Sequence, residues 1–150
     1  MGILSMKGLT LVELMVVMVI LGIMASVLYP DYKSYMLQRR LNGAALTVSL
    51  DLMLARAQAI SMNREVSVIF PTSPSSQYTY DANGNAKTKN IQTALGYYDV
   101  TLSADNNPIF SSRGIARNAA GTNPVATVTL RNPAGSKTVI VNIAGYVTTN

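Results

Sequence analysis

Read only for apolar and polar positions, the chain changes character three times. From Leu14 to Tyr29 no residue is charged, and counted from Leu9 the apolar run holds 21 residues. As a helix that is roughly 31 Å, enough to cross the hydrocarbon core of a bilayer. Pro30 predicts an end or a kink there, because proline has no N–H to donate and its ring clashes with the preceding turn. Asp31 to about Asn63 reads as helix again. Leu46, Leu50, Met53, Ala57 and Ile60 are separated by alternating steps of four and three, the spacing of one apolar stripe expected to pack on a sheet, with a partner helix as the alternative. Asn42-Gly43 is a weak point where this second helix could bend.

Beyond Asn63 the apolar period becomes two. Val66 to Phe70 and Tyr78 to Tyr80 read as strands, and Asn83-Gly84 is a turn signal. Tyr97 to Leu102, the pair Ile109-Phe110, and the segments Val125 to Arg131 and Lys137 to Ile143 follow. The last two flank Asn132-Pro133-Ala134-Gly135-Ser136, a hairpin connection by composition. Tyr146-Val147 would add a final edge. Segments 71–76 and 81–90, rich in Pro, Ser, Asn and Lys, are expected to be loops. One long helix followed by about six short strands predicts an α+β fold, with the helix packed on a small antiparallel β-sheet head.

Composition then removes most chemistry. The 150 residues hold no cysteine and no histidine, which excludes thiolate metal sites, disulfides, a Cys nucleophile and a His general base. The seven acidic residues show no paired-carboxylate spacing, Ser73, Ser75 and Ser76 have no histidine partner, and no phosphate-binding glycine loop is present. No catalytic residue, metal or cofactor is expected. The formal charge of +5 is mild, but it is uneven: no acidic residue follows Asp105, whereas Arg113, Arg117, Arg131 and Lys137 do. A basic face and an ordinary solvated face both fit that distribution.

The odd residue is Glu13, a carboxylate at the head of the apolar run. A secretory signal peptide would need a more basic start, a shorter core and a better cleavage site than Ala25-Ser26. A plain anchor fits the length but does not call for the glutamate, since a charge costs about 2.5–3.5 kcal/mol at the centre of a membrane helix and less near its end. Thr10-Leu11-Val12-Glu13 also has the form of a capping box, which suits a helix start and its dipole. Spacing alone leaves the capping role open.

Gly8-Leu9-Thr10-Leu11-Val12-Glu13-Leu14, the apolar run behind it and Pro30 resemble the class III signal of type IV pilins and type II secretion pseudopilins. That resemblance implies a pilin-like fold and four segments: a leader over 1–8, a transmembrane and assembly helix over 9–30, an amphipathic helix over 31–63, and a β-rich periplasmic head over 64–150. It also implies cleavage between Gly8 and Leu9 by a prepilin peptidase, and methylation of the new amine on Leu9. Leu9 stands where phenylalanine is usual in the family. Glu13 would then meet the Leu9 amine of a neighbouring subunit, since a carboxylate buried in a helix bundle needs an opposite charge. The implied partners are other pilin or pseudopilin subunits, the peptidase and an inner-membrane assembly platform. The implied location is the bacterial inner membrane, single-pass, and then a fibre.

A second resemblance covers the head. Leu54-Ala55-Arg56-Ala57-Gln58-Ala59-Ile60 with Asn63 and Val66, then Ile109-Phe110-Ser111-Ser112-Arg113-Gly114, Val128-Thr129-Leu130 and Gly145-Tyr146-Val147 are similar to the GspH/FimT branch. Some members of that branch sit at a pilus tip, and some bind DNA through a C-terminal Gly-Arg-x-Arg pattern. Here the matching residues are Gly145-Tyr146-Val147-Thr148, with no arginine. DNA is therefore a partner the resemblance allows but does not favour. Arg113 and Arg117 are the remaining candidates for phosphate contact.

Overall fold

Residues 10–82 and 85–150 are described in the structure, a computed structural model. Gly8, Leu9 and the Asn83-Gly84 turn lie outside the described residues. The chain divides into two units, with the boundary between Met36 and Leu37. A single helix, α1 (Leu11–Ser61), contributes to both. It runs through Pro30 and Gly43 without ending, so neither residue sets an element boundary.

In the first unit the helix begins at a cap. The Glu13 backbone N–H donates to Thr10 Oγ1 at 3.3 Å, satisfying one of the donors left over at a helix start. From Leu11 to Met24 the large apolar side chains are 45–74% exposed. Nothing among the described residues of this unit gives them a core.

In the second unit the helix ends on Asn63, which takes a left-handed φ of 49°. Arg64 N–H reaches back to the Ala59 carbonyl at 3.2 Å, the closure that lets a chain leave a helix with its last carbonyls satisfied. Nine strands follow among the described residues: β1 (Val66–Ile69), β2 (Gln77–Ala82), β3 (Asn85–Asn90), β4 (Thr101–Ala104), β5 (Ile109–Phe110), β6 (Ala116–Arg117), β7 (Ala126–Asn132), β8 (Gly135–Val141) and β9 (Val147–Thr149). They form two antiparallel sheets, ordered β3-β2-β1-β5-β6 and β4-β7-β8-β9. The long β7–β8 hairpin falls where the sequence puts it, turning through Asn132, whose side-chain oxygen accepts from Ala134 N–H at 2.9 Å.

Three expectations about this unit need correction. Segment 81–90 is not all loop, because β3 occupies most of it. Its polar residues face partners: Thr88 Oγ1 pairs with Thr79 Oγ1 at 3.0 Å, and Lys89 reaches Asp51 on the helix. The strand expected from Tyr97 begins only at Thr101, since the chain before it runs through turns, with Gly96 N–H donating to the Gln92 carbonyl at 3.2 Å and Tyr97 N–H to the Ile91 carbonyl at 3.3 Å.

The third correction concerns the helix face. Leu46, Leu50, Met53 and Ile60 are 47–58% exposed, and Ala57 is exposed with them. The core is built instead from Leu41, Ala44, Ala45, Val48, Leu52, Ala55 and Ala59, packed with Val66, Val68, Phe110, Val128 and Leu130. Both stripes advance by the same fours and threes and lie on opposite sides of the helix. Side-chain size separates them. The buried face, four alanines with Val48, Leu41 and Leu52, is on average the smaller and lets the backbone approach the sheets, and the face of Leu46, Leu50, Met53 and Ile60 is left outside. The loop ahead of β4 also comes close to the helix, because a Cβ on Gly43 would sit 2.8 Å from the Tyr97 hydroxyl.

Candidate assembly surfaces

Within the first unit, Glu13 is an exposed side chain in the first turn of α1. The Thr10 contact realises the backbone half of the capping box. No other charged residue lies between Glu13 and Asp31. The segment is long and apolar enough to cross a membrane and is not buried among the described residues. For Pro30 the structure gives the backbone alone, which stays helical.

The second unit adds a surface that periodicity hid, the outward stripe of Leu46, Leu50, Met53 and Ile60 on α1. At its far end it reaches a junction of three chain segments. Arg56 Nε–H donates to the Gly114 carbonyl at 2.9 Å, and its Nη2 donates to the Ala144 carbonyl at 3.2 Å. The guanidinium carbon lies 5.1 Å from the centre of the Tyr146 ring, within range of a cation–π contact. Gly114 and Gly145 have φ of +75° and +76°, the left-handed region that favours glycine. A Cβ on Gly114 would come 2.8 Å from Ile60 Cδ1, and one on Gly145 would collide with the Gly114 carbonyl oxygen. The three patches quoted separately from the sequence, around Arg56, Gly114 and Gly145, are therefore one contact in space.

Two polar tethers hold the sheets to the helix, and neither was singled out from the sequence. Buried Asp51 accepts from the Tyr78 hydroxyl and from Lys89 Nζ, the latter at 2.7 Å. Burial first, and then the hydrogen bond and charge of Asp51, push the Tyr78 phenol well above its ordinary value, so it stays protonated and keeps donating. Near the start of the unit, Asn132 Nδ2 donates to the Leu37 carbonyl at 2.8 Å and to Asp99 Oδ2 at 2.9 Å, while Arg40 pairs with Asp99 Oδ1 at 3.1 Å. A lone aspartate on a helix followed by a distant Tyr and Lys carries no signal in one dimension. The partners become visible only once β2 and β3 are placed.

The two arginines proposed for phosphate contact have different surroundings. Arg113 is exposed in the turn before Gly114. Arg117, on β6, directs Nη2 at both oxygens of Glu65, at 2.9 and 2.7 Å. Half of the candidate pair is thus neutralised by a carboxylate. Among the described residues no group of three or more His, Cys, Asp or Glu side chains could hold a metal ion.

Comparison with known proteins agrees with this geometry. The prokaryotic N-terminal methylation motif matches residues 4–29, and the profile of type II transport protein GspH matches residues 44–145. No curated protein sequence matches the chain. Among solved structures, the type IV minor pilin FimU of Pseudomonas aeruginosa PAO1 is similar in two crystal forms. The TM-scores are 0.56 and 0.53 at 16% identity, over 75% and 73% of this chain and 90% and 92% of FimU. At that identity the likeness speaks for the fold, one long helix packed on antiparallel sheets. The GspH match spans well over half of the sequence, and with the methylation motif ahead of it, the chain belongs to the GspH family of type IV pilin-like and pseudopilin subunits.

Proposed function

We propose that this protein is a minor pilin or pseudopilin, a structural subunit that assembles at or near the tip of a type IV pilus or type II secretion pseudopilus. Before assembly it is held in the bacterial inner membrane by one span, with the head in the periplasm. Prepilin peptidase removes residues 1–8, cutting between Gly8 and Leu9, and the Leu9 amine is methylated.

The observation that carries this reading is the exposure of α1. Among the described residues its large apolar side chains from Leu11 to Met24 are 45–74% exposed, and the stripe of Leu46, Leu50, Met53 and Ile60 is about half exposed. Surface of that extent is rare on a protein that works alone. A bilayer followed by a bundle of like helices would cover it. In such a bundle Glu13 meets the Leu9 amine of the next subunit and rewards one axial stagger, and Pro30 lies within the packed length. FimU, a minor pilin with a similar fold, fits the same assignment. DNA capture is the weaker reading, because the Glu65 carboxylate already occupies Arg117.

The test is intact-mass measurement of protein from a peptidase-competent host. Residues 1–8 should be absent and Leu9 methylated, and Gly8→Val should leave the precursor intact. Glu13→Ala should insert into the membrane normally but enter the fibre or tip complex poorly. A mature N-terminus near Val27 would point to ordinary signal-peptide cleavage and refute the assignment. Normal assembly of Glu13→Ala would reduce that residue to the capping role.

A further inference from the structure

Three of the chain's eight tyrosines, Tyr29, Tyr32 and Tyr35, fall within seven residues directly after the apolar run. All three are on α1 in the first unit and are 61–71% exposed. Neither the core of the head nor the pairing of Glu13 uses them. Asp31 and Lys33 lie between them and are exposed as well.

Their axial position is informative. From Glu13 to Asp31 the helix rises about 27 Å, close to the roughly 30 Å of a bilayer's hydrocarbon core. With Glu13 at one boundary, the tyrosines begin at the other. From Tyr29 to Tyr35 the rise is about 9 Å, comparable to a headgroup layer of roughly 5–7 Å. Tyrosine suits that layer, since its ring prefers the apolar side and its hydroxyl the wet side. At 3.6 residues per turn the rings at i, i+3 and i+6 fan across about 120° of the helix circumference, and Lys33 lies about 40° beyond Tyr29 on the other side, so the four side chains spread over about 160°. A single neighbouring helix cannot cover so wide a spread, and a dry contact over Tyr29 would have to bury the adjacent Lys33 ammonium, at a cost of several kcal/mol unless it found an acid. A phospholipid headgroup region supplies phosphate for the ammonium, which its long stem lets it reach, and water for the hydroxyls.

We infer that Tyr29, Tyr32 and Tyr35, with Lys33, form a contact surface for phospholipid headgroups that fixes how deep α1 sits in the bilayer before assembly. The inference rests on the membrane-anchored reading above. It adds a surface with a defined partner and a defined level.

The chain has no tryptophan, so one substitution makes a single-fluorophore reporter of the full-length protein. Tyr32→Trp and, separately, Val19→Trp are reconstituted in vesicles of phosphatidylethanolamine and phosphatidylglycerol. Part of the lipid is brominated either near the ester groups or near the acyl-chain ends. Tyr32→Trp should be quenched about twofold more by the shallow bromines than by the deep ones, and Val19→Trp should show the reverse preference. In the Val19→Trp background, changing all three tyrosines to serine should shift the ratio of deep to shallow quenching by a similar factor. If Val19→Trp is quenched but Tyr32→Trp is not, the rings face water or a protein partner and the inference fails while the membrane reading stands. An unchanged ratio in the triple-serine variant likewise overturns depth fixing. If Val19→Trp is not quenched by either lipid, both readings fail together.

Discussion

Replacing Gly145 with alanine tests whether the Arg56 junction holds the head together. A Cβ at this position would fall on the Gly114 carbonyl oxygen and come 2.9 Å from Arg56 Nε. Both neighbours are fixed: the carbonyl is backbone, and the guanidinium is tied to it at 2.9 Å. The left-handed conformation costs a non-glycine residue roughly 1–2 kcal/mol. Moving the Gly114 turn away also loses a charged hydrogen bond, of order 1.5–3 kcal/mol. Together these give a destabilisation of about 2.5–5 kcal/mol. Gly121 is the internal control. Its φ of +66° is nearly the same, but a Cβ there meets nothing within 4 Å. Gly121→Ala should therefore cost only the conformational part, about 1–2 kcal/mol. Urea unfolding of a head fragment, residues 37–150, followed by circular dichroism, measures both variants against the parent. Equal losses for the two alanines would show that the close approach at Gly145 is not a feature of the folded head. The convergence of the three segments on Arg56 would then lose its support.

Two further outcomes follow from the polar contacts. Tyr78→Phe should cost the head about 1–3 kcal/mol near neutral pH, because buried Asp51 loses a donor. The same residue shapes the alkaline limb: with the folded phenol raised, the unfolded chain releases that proton first, so the parent should lose stability as pH climbs above about 10 while the variant declines less. Identical alkaline slopes in urea titrations would contradict the placement of Tyr78 against Asp51. Arg117→Ala should change stability by no more than about 1 kcal/mol, since its pair with Glu65 is open to solvent. Fluorescence anisotropy with duplex DNA should show little or no affinity for the head, weaker than the roughly 10⁻⁴ to 10⁻⁶ M of non-specific binders. Micromolar binding with a steep salt dependence, flattened in an Arg113→Ala/Arg117→Ala variant, would restore the DNA reading.

What the sequence discloses and what it withholds can be seen residue by residue. The apolar run, the β7–β8 hairpin and the strand after Asn63 are legible because each is a local pattern with a local cause. The identity of the packed helix face is not, because Leu46-Leu50-Met53-Ile60 and Leu41-Val48-Leu52-Ala59 satisfy one periodicity equally well. Hydrophobicity favours the wrong stripe, since larger side chains score higher, whereas the sheet selects the face that permits close approach. β3 was hidden for a related reason. Asn-Ala-Lys-Thr-Lys-Asn reads as loop by composition, yet an edge strand can be polar, and Lys89 has a buried carboxylate to meet. The Arg56 junction was half visible. Its glycines and arginine stood out as separate patches, but only the fold shows that they touch.

The two-faced helix explains more than a missed stripe. A helix in a globular protein hides most of its larger apolar side chains, whereas α1 along the head buries Leu41 and Leu52 among alanines but leaves Leu46, Leu50, Met53 and Ile60 about half exposed. The alanine face gives the sheets enough contact to fold, which leaves Leu46, Leu50, Met53 and Ile60 free for something outside the chain. The first unit extends that arrangement to its limit, with grease on every side and one carboxylate at its start. Near the end of a membrane helix, that carboxylate is tolerable because it can reach the headgroups. Inside a dry bundle it is tolerable only beside a cation. On the proposed assignment, the same residue is compatible with both surroundings but pairs in only one, which gives the subunit a reason to stop at a single register when it leaves the bilayer for the fibre.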